Sequence, residues 1–476
     1  MSDTQILEPE QDAPPGRMRT TAIIVAVALF MQNLDSTVVT TALPAMAKNF
    51  HIDPLYMSVA VTSYLIALSV FIPASGWVAD RFGARQVFRI AIVIFTFGSV
   101  FCGIAPNLLV LVAARVVQGV GGAMMLPVGR LLLLRSVSRA QMVSAMTWLT
   151  LPALLGPVLG PPLGGLIVSA ASWHWVFDIN VPIGIAGAIA VSLFIPDVQE
   201  EGRGGQLDML GLIYSGLAMA LLMVGMETVG RGLMPISWTL LAFTGGVGAC
   251  LAYWHHARQV ENPVLDFSLF KVETFRISLT AGSLFRIAAG ALPFLLPLML
   301  QLSFGKSPLQ SGIITFSAAA GAVLMKLAAA PSLERFGFRS VLIWNGVVAA
   351  LTMAATAAFS PAWPALLMCL VLFVSGFFRS LQFTSFNTIA YGDIARSRMS
   401  AATTLYSTVQ QLSLTMGIVV GAASLEISSW ISGRTAPALF DYRAAFLTVS
   451  LVAVLSTPLC MRLSKTAGDA LTHHPP

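Results

Sequence analysis

The sequence predicts an all-α polytopic membrane protein with fourteen transmembrane helices, six in each of two related halves and two inserted between them. Three observations predict this architecture: the composition, a series of long apolar runs, and an internal repeat. Of the 476 residues, 56% are hydrophobic and only 10% are charged, and the mean hydropathy is +0.81. Soluble domains carry about 25% charged residues, so most of this surface is expected to face lipid.

Apolar runs long enough to cross a bilayer follow one another along nearly the whole chain. A transmembrane helix needs about 20 apolar residues, whereas a transmembrane barrel shows alternating segments of about ten. The fourteen runs, all continuous, lie at 20–45, 55–77, 87–105, 107–130, 142–169, 175–196, 208–229, 236–256, 276–303, 308–330, 340–359, 363–384, 400–431 and 441–463. The polar, acidic segment before the first run lacks the features of a signal peptide, so the first span is expected to be retained.

Lysine and arginine are distributed unevenly between the two sides of the predicted bundle. With the N-terminus in the cytoplasm, nineteen fall on the cytoplasmic side and five on the outer side, while Arg115, Arg286 and Arg379 lie deep in spans. Cytoplasmic loops of membrane proteins carry an excess of Lys and Arg. Both termini are therefore expected in the cytoplasm, and the net charge of +6 reflects this bias rather than nucleic-acid binding.

Two short motifs recur eight spans later. DRFGAR at 80–85 follows span 2, and ERFGFR at 334–339 follows span 10. RVVQ at 115–118 lies in span 4, and RSLQ at 379–382 lies in span 12. Two matches in the same register predict two related halves of equal orientation. Transporters built in this way hold a substrate near the midplane while the halves rock around it.

The repeat divides the chain into five segments. These are a cytoplasmic tail at 1–19, a first six-helix half at 20–196, a linker with two extra helices at 197–275, a second six-helix half at 276–464 and a cytoplasmic tail at 465–476. We expect a monomer that acts on a small-molecule substrate within the lipid bilayer. No nucleic-acid partner, metal, other cofactor or catalytic residue is expected.

One carboxylate, Asp35, lies inside the first apolar run. A charge at mid-bilayer costs about 2.5–3.5 kcal/mol, so it usually faces a cavity and a partner. At 1.5 Å per residue, Asp35 lies about 22 Å and Arg115 about 18 Å from the inner face, so the two can meet. One interpretation is a site that takes up and releases a proton as Arg115 approaches and leaves. The other is a static ion pair that locks helices together.

Other polar residues within spans are candidates for the lining of a substrate cavity. They are Gln32, Gln118, Asp178, Arg286, Arg379 and Gln382. Arg286 and Arg379 either contact an anion or substrate or bond to backbone carbonyls. Asp178, near the outer mouth of span 6, is also explained by hydration. Lys326 is expected near the inner end of span 10, where snorkelling explains a lysine.

Two glycine-containing motifs predict structural devices. In span 5, Gly156, Gly160 and Gly164 recur on one face beside Gly165, Pro157 and Pro161. Small residues at this spacing let a neighbouring helix come close, and prolines bend a helix. Such a helix either seals one half against the other or is simply tightly packed. The turn after span 2 contains Gly76, Asp80, Arg81, Gly83 and Arg85, and it is either a conformational latch or a topology signal only.

These motifs resemble those of the fourteen-span drug:proton antiporters of the major facilitator superfamily, the EmrB/QacA type, over nearly the whole chain. GWVADRFGAR (76–85) is similar to the superfamily loop motif, although Ala84 replaces a usual basic residue, which weakens the expected latch. LDST (34–37) with ALP (42–44) resembles the span 1 motif of this subgroup. RVVQGVGG (115–122) resembles the span 4 motif, whose arginine the family uses in proton coupling.

Further matches lie in spans 5 and 6. GPVLG (156–160) through Gly165 resembles the antiporter motif that efflux members carry. WHWVFDINVP (173–182) resembles the start of span 6, although Asp178 stands where the family is usually apolar. GVGGAMMLPVGR and ASWHW resemble the MdtD-like branch, which is named for drug efflux and for which organic-acid or metal-chelate export has been proposed. The resemblance implies a bacterial inner-membrane protein of the major facilitator fold.

We therefore predict a proton-coupled antiporter that exports small amphiphilic compounds or drugs by alternating access, with Asp35 and Arg115 in proton coupling and the proton gradient as its energy source. The alternative is an exporter of organic anions such as tricarboxylates or metal chelates. The deep Arg115, Arg286 and Arg379 favour anions by Coulomb attraction.

Other classes have less support. A membrane enzyme lacks support because no HExxH, nucleophile elbow or metal-spaced His/Cys cluster occurs in the sequence. SFGKSP (303–308) contains GKS, but Leu300 stands where a phosphate-binding loop needs glycine. Two rocking halves and an antiporter-like helix argue against a channel.

Overall fold

The computed structural model describes residues 15–52, 57, 59–137, 141–195, 208–228, 235–434 and 437–471. Within these ranges all regular structure is helical, in agreement with the predicted class. The fourteen long helices are α1 (Pro15–Phe50), α2 (Val59–Phe82), α3 (Ala84–Gly103), α4 (Leu108–Arg135), α5 (Met142–Ala170), α6 (Trp175–Phe194), α7 (Met209–Thr228), α8 (Ile236–Ala257), α9 (Glu273–Ser303), α10 (Pro308–Phe336), α11 (Phe338–Ala358), α12 (Ala365–Gly392), α13 (Met399–Ile431) and α14 (Leu439–Cys460).

The helices match the predicted spans one for one. In the described ranges, thirteen are long and apolar enough to cross a membrane. The other, α5, covers the predicted fifth span with 29 residues. α1 extends beyond the predicted 20–45 at both ends because it continues past its apolar stretch into the polar residues that flank it. Short 3₁₀ or π segments interrupt α2 and α11, a π segment (Met299–Ser303) ends α9, and Ile179 interrupts α6.

The repeated loop motif has the same backbone geometry in both halves. Gly83 separates α2 from α3 with φ +82°, and Gly337 separates α10 from α11 with φ +71°. Residues with a Cβ rarely adopt this region, so glycine permits a one-residue reversal there. Arg85 then donates to the carbonyl of Ser192 at the end of α6, and Arg339 donates to the carbonyl of Met461 after α14 at 3.1 Å. Each motif therefore fastens its helix to the last helix of its own set of six.

Helix packing is also equivalent in the two sets of six. α1 packs on α5 as α9 packs on α13, and α2 packs on α4 as α10 packs on α12. α3 contacts α6 as α11 contacts α14. The inserted helices α7 and α8 pack on each other, and α7 also contacts α2 and α13. Asp208 caps α7 by accepting from the Gly211 amide at 2.8 Å and also lies 2.6 Å from Nε2 of His256 in α8.

The first and last six helices are hydrogen-bonded to each other at one end of the bundle. We call this the basic end, because it holds the arginine-rich turns at 80–85 and 334–339. Ser75 of α2 lies 3.1 Å from Thr404 of α13, and Ser400 donates to the carbonyl of Gly76 at 3.0 Å. Gly76 permits this approach, since a Cβ there would lie 3.0 Å from the Ser400 hydroxyl.

Arg130 of α4 adds a second set of contacts at the basic end. Its guanidinium donates to Tyr391 of α12 at 3.0 Å and to Gln410 of α13 at 3.2 Å. It also lies 5.3 Å from the centre of the Tyr406 ring, within the range of a cation–π contact. The two sets of helices are therefore closed against each other at this end.

Candidate functional site

Four helices bring five polar side chains together inside the first six-helix set. Asp35 comes from α1, Ser99 from α3, Arg115 and Gln118 from α4, and Asn180 from α6. All five side chains are buried. We call them the Asp35 cluster. A buried carboxylate needs partners for its charge and lone pairs, and this cluster supplies them.

The Asp35 carboxylate is bonded through both oxygens. Oδ2 lies 2.5 Å from Nη1 of Arg115, and both side chains are fully buried. Oδ1 accepts from Nε2 of Gln118 at 2.9 Å and from Nδ2 of Asn180 at 3.0 Å. The sequence prediction that Asp35 and Arg115 meet therefore agrees with their positions, and Asp35 has two amide partners in addition.

Two groups hold Gln118 in the orientation that presents its NH₂ to Asp35. Oε1 of Gln118 accepts from Arg115 at 2.6 Å, and Nε2 donates to Ser99 at 2.7 Å. The Ser99 hydroxyl also accepts from Asn180 at 3.2 Å. The amide orientation follows from this network, because an inverted amide would present its oxygen to a carboxylate.

Arg115 is held on several sides. Nε donates to the carbonyl of Ala60 in α2 at 3.0 Å, and the guanidinium carbon lies 4.3 Å from the centre of the Tyr64 ring. The Phe177 ring lies 5.9 Å away. Nη2 is buried with no hydrogen-bond partner among the described residues. Removing Asp35 would leave a buried cation without a counter-charge, which costs about 3–5 kcal/mol.

The glycines of α5 fix the position of the α1 segment that carries Asp35. A Cβ on Gly156 would lie 2.8 Å from Cβ of Asn33 and 3.0 Å from the Leu34 amide, and one on Gly160 or Gly164 would overlap Thr37 or Thr41. The stripe therefore packs against α1 in the same set of helices. The glycine face itself is covered by α1, and α5 also contacts α10 and α12 of the last six helices, so tight packing is observed and the sealing role stays a prediction. Gly165 is exposed, and the side chains of Pro157 and Pro161 lie outside the description.

The last six helices contain a second buried cation. Arg286 of α9 donates to Tyr406 and, at 3.3 Å, to Asn387, and the Tyr406 hydroxyl donates to Asn387 at 2.9 Å. Nε of Arg286 has no hydrogen-bond partner among the described residues. Neutral hydroxyl and amide groups thus solvate Arg286, and no backbone carbonyl in the described ranges accepts a hydrogen bond from it. Its contact with an anion or substrate stays a prediction.

The remaining candidates lie apart from the Asp35 cluster. Gln382 is buried in the second set, accepting from Asn345 at 2.8 Å and donating to the Leu342 carbonyl at 2.9 Å. Arg379 is half-buried midway along α12, with no hydrogen bond to any residue in the described ranges. Asp178 lies at the break in α6, where its carboxylate is close to Gly103 at the end of α3: a Cβ on Gly103 would lie 2.7 Å from it.

Gln32 and Lys326 are the two remaining polar residues that the sequence places within spans. Gln32 is buried in α1, close to Gly122 of α4. Lys326 does not snorkel: it is buried, and its ammonium donates to Thr384 of α12 at 2.5 Å. Snorkelling fails because Lys326 lies ten residues before the end of α10 at Phe336, and the Thr384 hydroxyl accepts its hydrogen bond inside the bundle.

Comparisons with known proteins agree with this architecture. The family model described as Major Facilitator Superfamily matches residues 25–254 and 278–471. The chain belongs to the major facilitator superfamily. As a member it is a multi-pass membrane transporter of small molecules, not an enzyme, as the sequence predicted.

Curated relatives and a solved structure agree with this assignment. The relative from Salmonella paratyphi A (strain ATCC 9150 / SARB42), named as a multidrug resistance protein, MdtD, is 40% identical over 413 residues, covering 86% of this chain and 87% of its own. An MdtD from Serratia proteamaculans (strain 568) is 41% identical over 402 residues, covering 83% of each chain. The human organic anion transporter MFSD10 (TETRAN) has a TM-score of 0.69 at 15% identity, covering 94% of this chain and 100% of its own, a likeness of fold. The MdtD-like resemblance is therefore confirmed.

The loop motif of this superfamily member contacts both sets of six helices. Asp80 lies 3.1 Å from Arg135 at the end of α4, and Arg85 reaches the Ser192 carbonyl in α6. Gly76 contacts α13 of the other set, while Arg81 is exposed. Ala84 is buried at the start of α3, so a basic residue at this position has no room to point into the bundle.

Three residues of the site were not predicted from the sequence: Ser99, Asn180 and Tyr64. Asn180 did carry a signal, because an amide follows Asp178 by two residues at the start of an apolar helix. Ser99 carried none, since serines in transmembrane helices commonly bond to their own helix backbone. Tyr64 is one aromatic among many in the spans, and only the packing of α2 on α4 places it on Arg115.

Proposed function

We propose that this transporter is a proton-coupled antiporter that exports small amphiphilic compounds from the cytoplasm by alternating access. It acts as a monomer in a bacterial inner membrane, draws its energy from the proton gradient and needs no cofactor.

Both termini lie in the cytoplasm, so the basic end is the cytoplasmic end. Thiol labelling of intact cells tests this orientation: a cysteine at Ala362 should react with an impermeant maleimide, and one at Arg81 should react only after permeabilisation.

The observation that carries the proposal is the buried Asp35–Arg115 pair, with Gln118 and Asn180 on the second carboxylate oxygen. A proton and the Arg115 guanidinium compete for the same oxygen, Oδ2. When the proton binds, the carboxyl loses its charge and its attraction for Arg115. Because α1 carries Asp35 and α4 carries Arg115, this change alters the force between two helices of the first set.

The contacts of α5 and α4 can carry that change to the other set of helices. α5 packs on α1 and also on α10 and α12, and Arg130 lies on α4 with Arg115. With the basic end closed, the proposed path to Asp35 leads from the opposite end, where protons are abundant. Protonation of Asp35 then releases the closed end, and the transporter turns toward the cytoplasm to release the proton and bind substrate.

Amphiphilic compounds are the proposed substrates because the MdtD relatives are named for multidrug resistance. Export of organic anions is the second candidate, and the cations of the last six helices favour it. Arg286, Lys326 and Arg379 lie deep in α9, α10 and α12, and among the described residues no carboxylate forms an ion pair with Arg286 or Arg379. An anion that enters between the two sets would be attracted by these charges.

Everted membrane vesicles with an imposed inside-acid gradient test the proposal. We expect a lipophilic cation to discharge the gradient in wild-type vesicles without ATP, and Asp35→Asn to abolish that discharge. Asp441→Asn is the matched control, because Asp441 is also fully buried and lies 2.8 Å from Arg434, but near the start of α14. Discharge by citrate alone would instead support the anion exporter. Discharge by neither compound, or equal discharge by Asp35→Asn, would contradict the proposed coupling.

A further inference from the structure

A cavity of about 380 Å³ lies at the basic end, outside the sites described above. Its lining includes Trp254 and Arg258 at the end of α8, Glu261, Asp266 and Phe267 in the connection to α9, and Arg398 just before α13. The volume falls in the range of small-molecule sites, about 300–1,000 Å³. Because Trp254 is in the last turn of a membrane-spanning helix, the cavity lies at the level where lipid headgroups meet water.

Two of the four charged residues in the lining neutralise each other. Arg398 lies 2.6 Å from Asp266 and also donates to the Ser268 hydroxyl. Burial acts to raise the pKa of Asp266, but hydrogen bonds from Ser268 and Arg398 outweigh it and leave this pKa below its usual value. Asp266 is therefore a carboxylate at neutral pH, and its charge is already balanced by Arg398.

The other two charged residues are available to a ligand. Arg258 and Glu261 are both exposed, and neither forms an ion pair with any residue in the described ranges. The Arg258 guanidinium lies 4.6 Å from the centre of the Trp254 ring. Trp254 in turn packs on Phe267, with ring centres 5.1 Å apart. The aromatic pair thus holds the arginine in place and gives the cavity an apolar wall.

We propose that this cavity binds the phosphoethanolamine headgroup of a membrane lipid, with its phosphate on Arg258 and its ammonium on Glu261. One free cation and one free anion match a zwitterion. Arginine suits a phosphate because its planar donors bond to two oxygens at once, and a primary ammonium donates hydrogen bonds to a carboxylate. A phosphocholine headgroup lacks N–H donors, and a phosphatidylglycerol headgroup leaves Glu261 facing a negative ligand.

The position of the site gives binding a structural consequence. Arg398 lies two residues before Ser400, which donates to Gly76 of α2 at the closed end. A lipid held between the α8–α9 connection and Arg398 therefore lies beside the helix that closes the basic end. Binding itself requires no assumption about the transport reaction.

Binding of short-chain phospholipids to the purified full-length protein, measured by native mass spectrometry, tests this site. We expect phosphatidylethanolamine to bind at least tenfold more tightly than phosphatidylcholine or phosphatidylglycerol. Glu261→Gln and Arg258→Gln should each abolish that preference. Arg335→Gln is the matched control, because Arg335 is an exposed arginine beside an aromatic ring, Phe336 at 5.6 Å, at the same end.

Water-soluble phosphoethanolamine distinguishes the source of the headgroup. If it binds as well as the short-chain lipid, the headgroup chemistry is right and a soluble ligand is the source. If only the lipid binds, the source is the bilayer. Equal binding of all three lipids, or an unchanged preference in both variants, would overturn the proposal. The assay measures lipid binding and not transport. A failure of lipid binding and a failure of proton coupling are therefore separate results.

Discussion

At the scale of single residues, the buried carboxylate of Asp35 is explained by its partners. A charge inside a membrane is costly unless it is paired and hydrogen-bonded, and Arg115, Gln118 and Asn180 meet both conditions. The Asp35–Arg115 meeting was predictable because helix rise converts sequence position into depth. The contact with the Asn180 amide of α6 was not predictable, because helix packing decides which helices surround Asp35 at its depth.

Asn180→Ala tests the contribution of this amide. A hydrogen bond to a charged group contributes about 1.5–3 kcal/mol, so we expect the free energy of unfolding to fall by that amount. Thermal unfolding of the purified protein, followed by tryptophan fluorescence, measures the change. Thr244→Ala is the control, because its exposed hydroxyl only bonds to its own helix backbone, and it should change stability by less than about 0.5 kcal/mol. Equal stability of the two variants would show that Asn180 contributes nothing to holding Asp35.

At the scale of helices, the glycine stripe of α5 determines how close α1 comes. The sequence predicted a close approach from the spacing of Gly156, Gly160 and Gly164, because small residues allow helix backbones to meet. It did not identify the partner, because a stripe is complementary to any smooth helix face. The structure assigns α1, whose Thr37 donates to the Gly156 carbonyl at 3.4 Å.

Gly160→Ala should separate α1 from α5, because the new methyl group would overlap the Thr37 side chain. Overpacking of this kind costs about 1–3 kcal/mol, and thermal unfolding should report it. Gly165→Ala in the same helix is the control, since a Cβ there meets no atom within 4 Å. The control should be neutral or slightly stabilising, because alanine favours a helix over glycine. Identical behaviour of the two variants would mean that the stripe does not set the α1–α5 distance.

At the scale of the whole molecule, two equivalent sets of six helices meet at the basic end. The repeated DRFGAR and ERFGFR motifs predicted the equivalence, and Gly83 and Gly337 have matching backbone conformations. The sequence could not predict the closed end, because the alternating access that we propose uses one sequence for two arrangements. Contacts such as Ser75–Thr404 belong to one of them.

A disulfide between cysteines at Ser75 and Thr404 should lock this arrangement. The two hydroxyl oxygens are 3.1 Å apart, so the two side chains point at each other across the closed end, as a disulfide requires. In a background without the four native cysteines, oxidation should stop transport and reduction should restore it. Cysteines at Ser75 and Ser432, at opposite ends of the bundle, should not cross-link. Full transport by the oxidised Ser75–Thr404 pair would mean that the closed end never opens.

Proton release on substrate binding is the most direct measurement of the central claim, that Asp35 exchanges a proton during transport. The purified protein is mixed in weakly buffered detergent solution with the compound that discharges the vesicle gradient, and a pH indicator reports released protons. We expect release from wild type and Asp441→Asn, and binding without release from Asp35→Asn. Equal proton release from Asp35→Asn would contradict the account and leave Asp35 as a structural partner of Arg115.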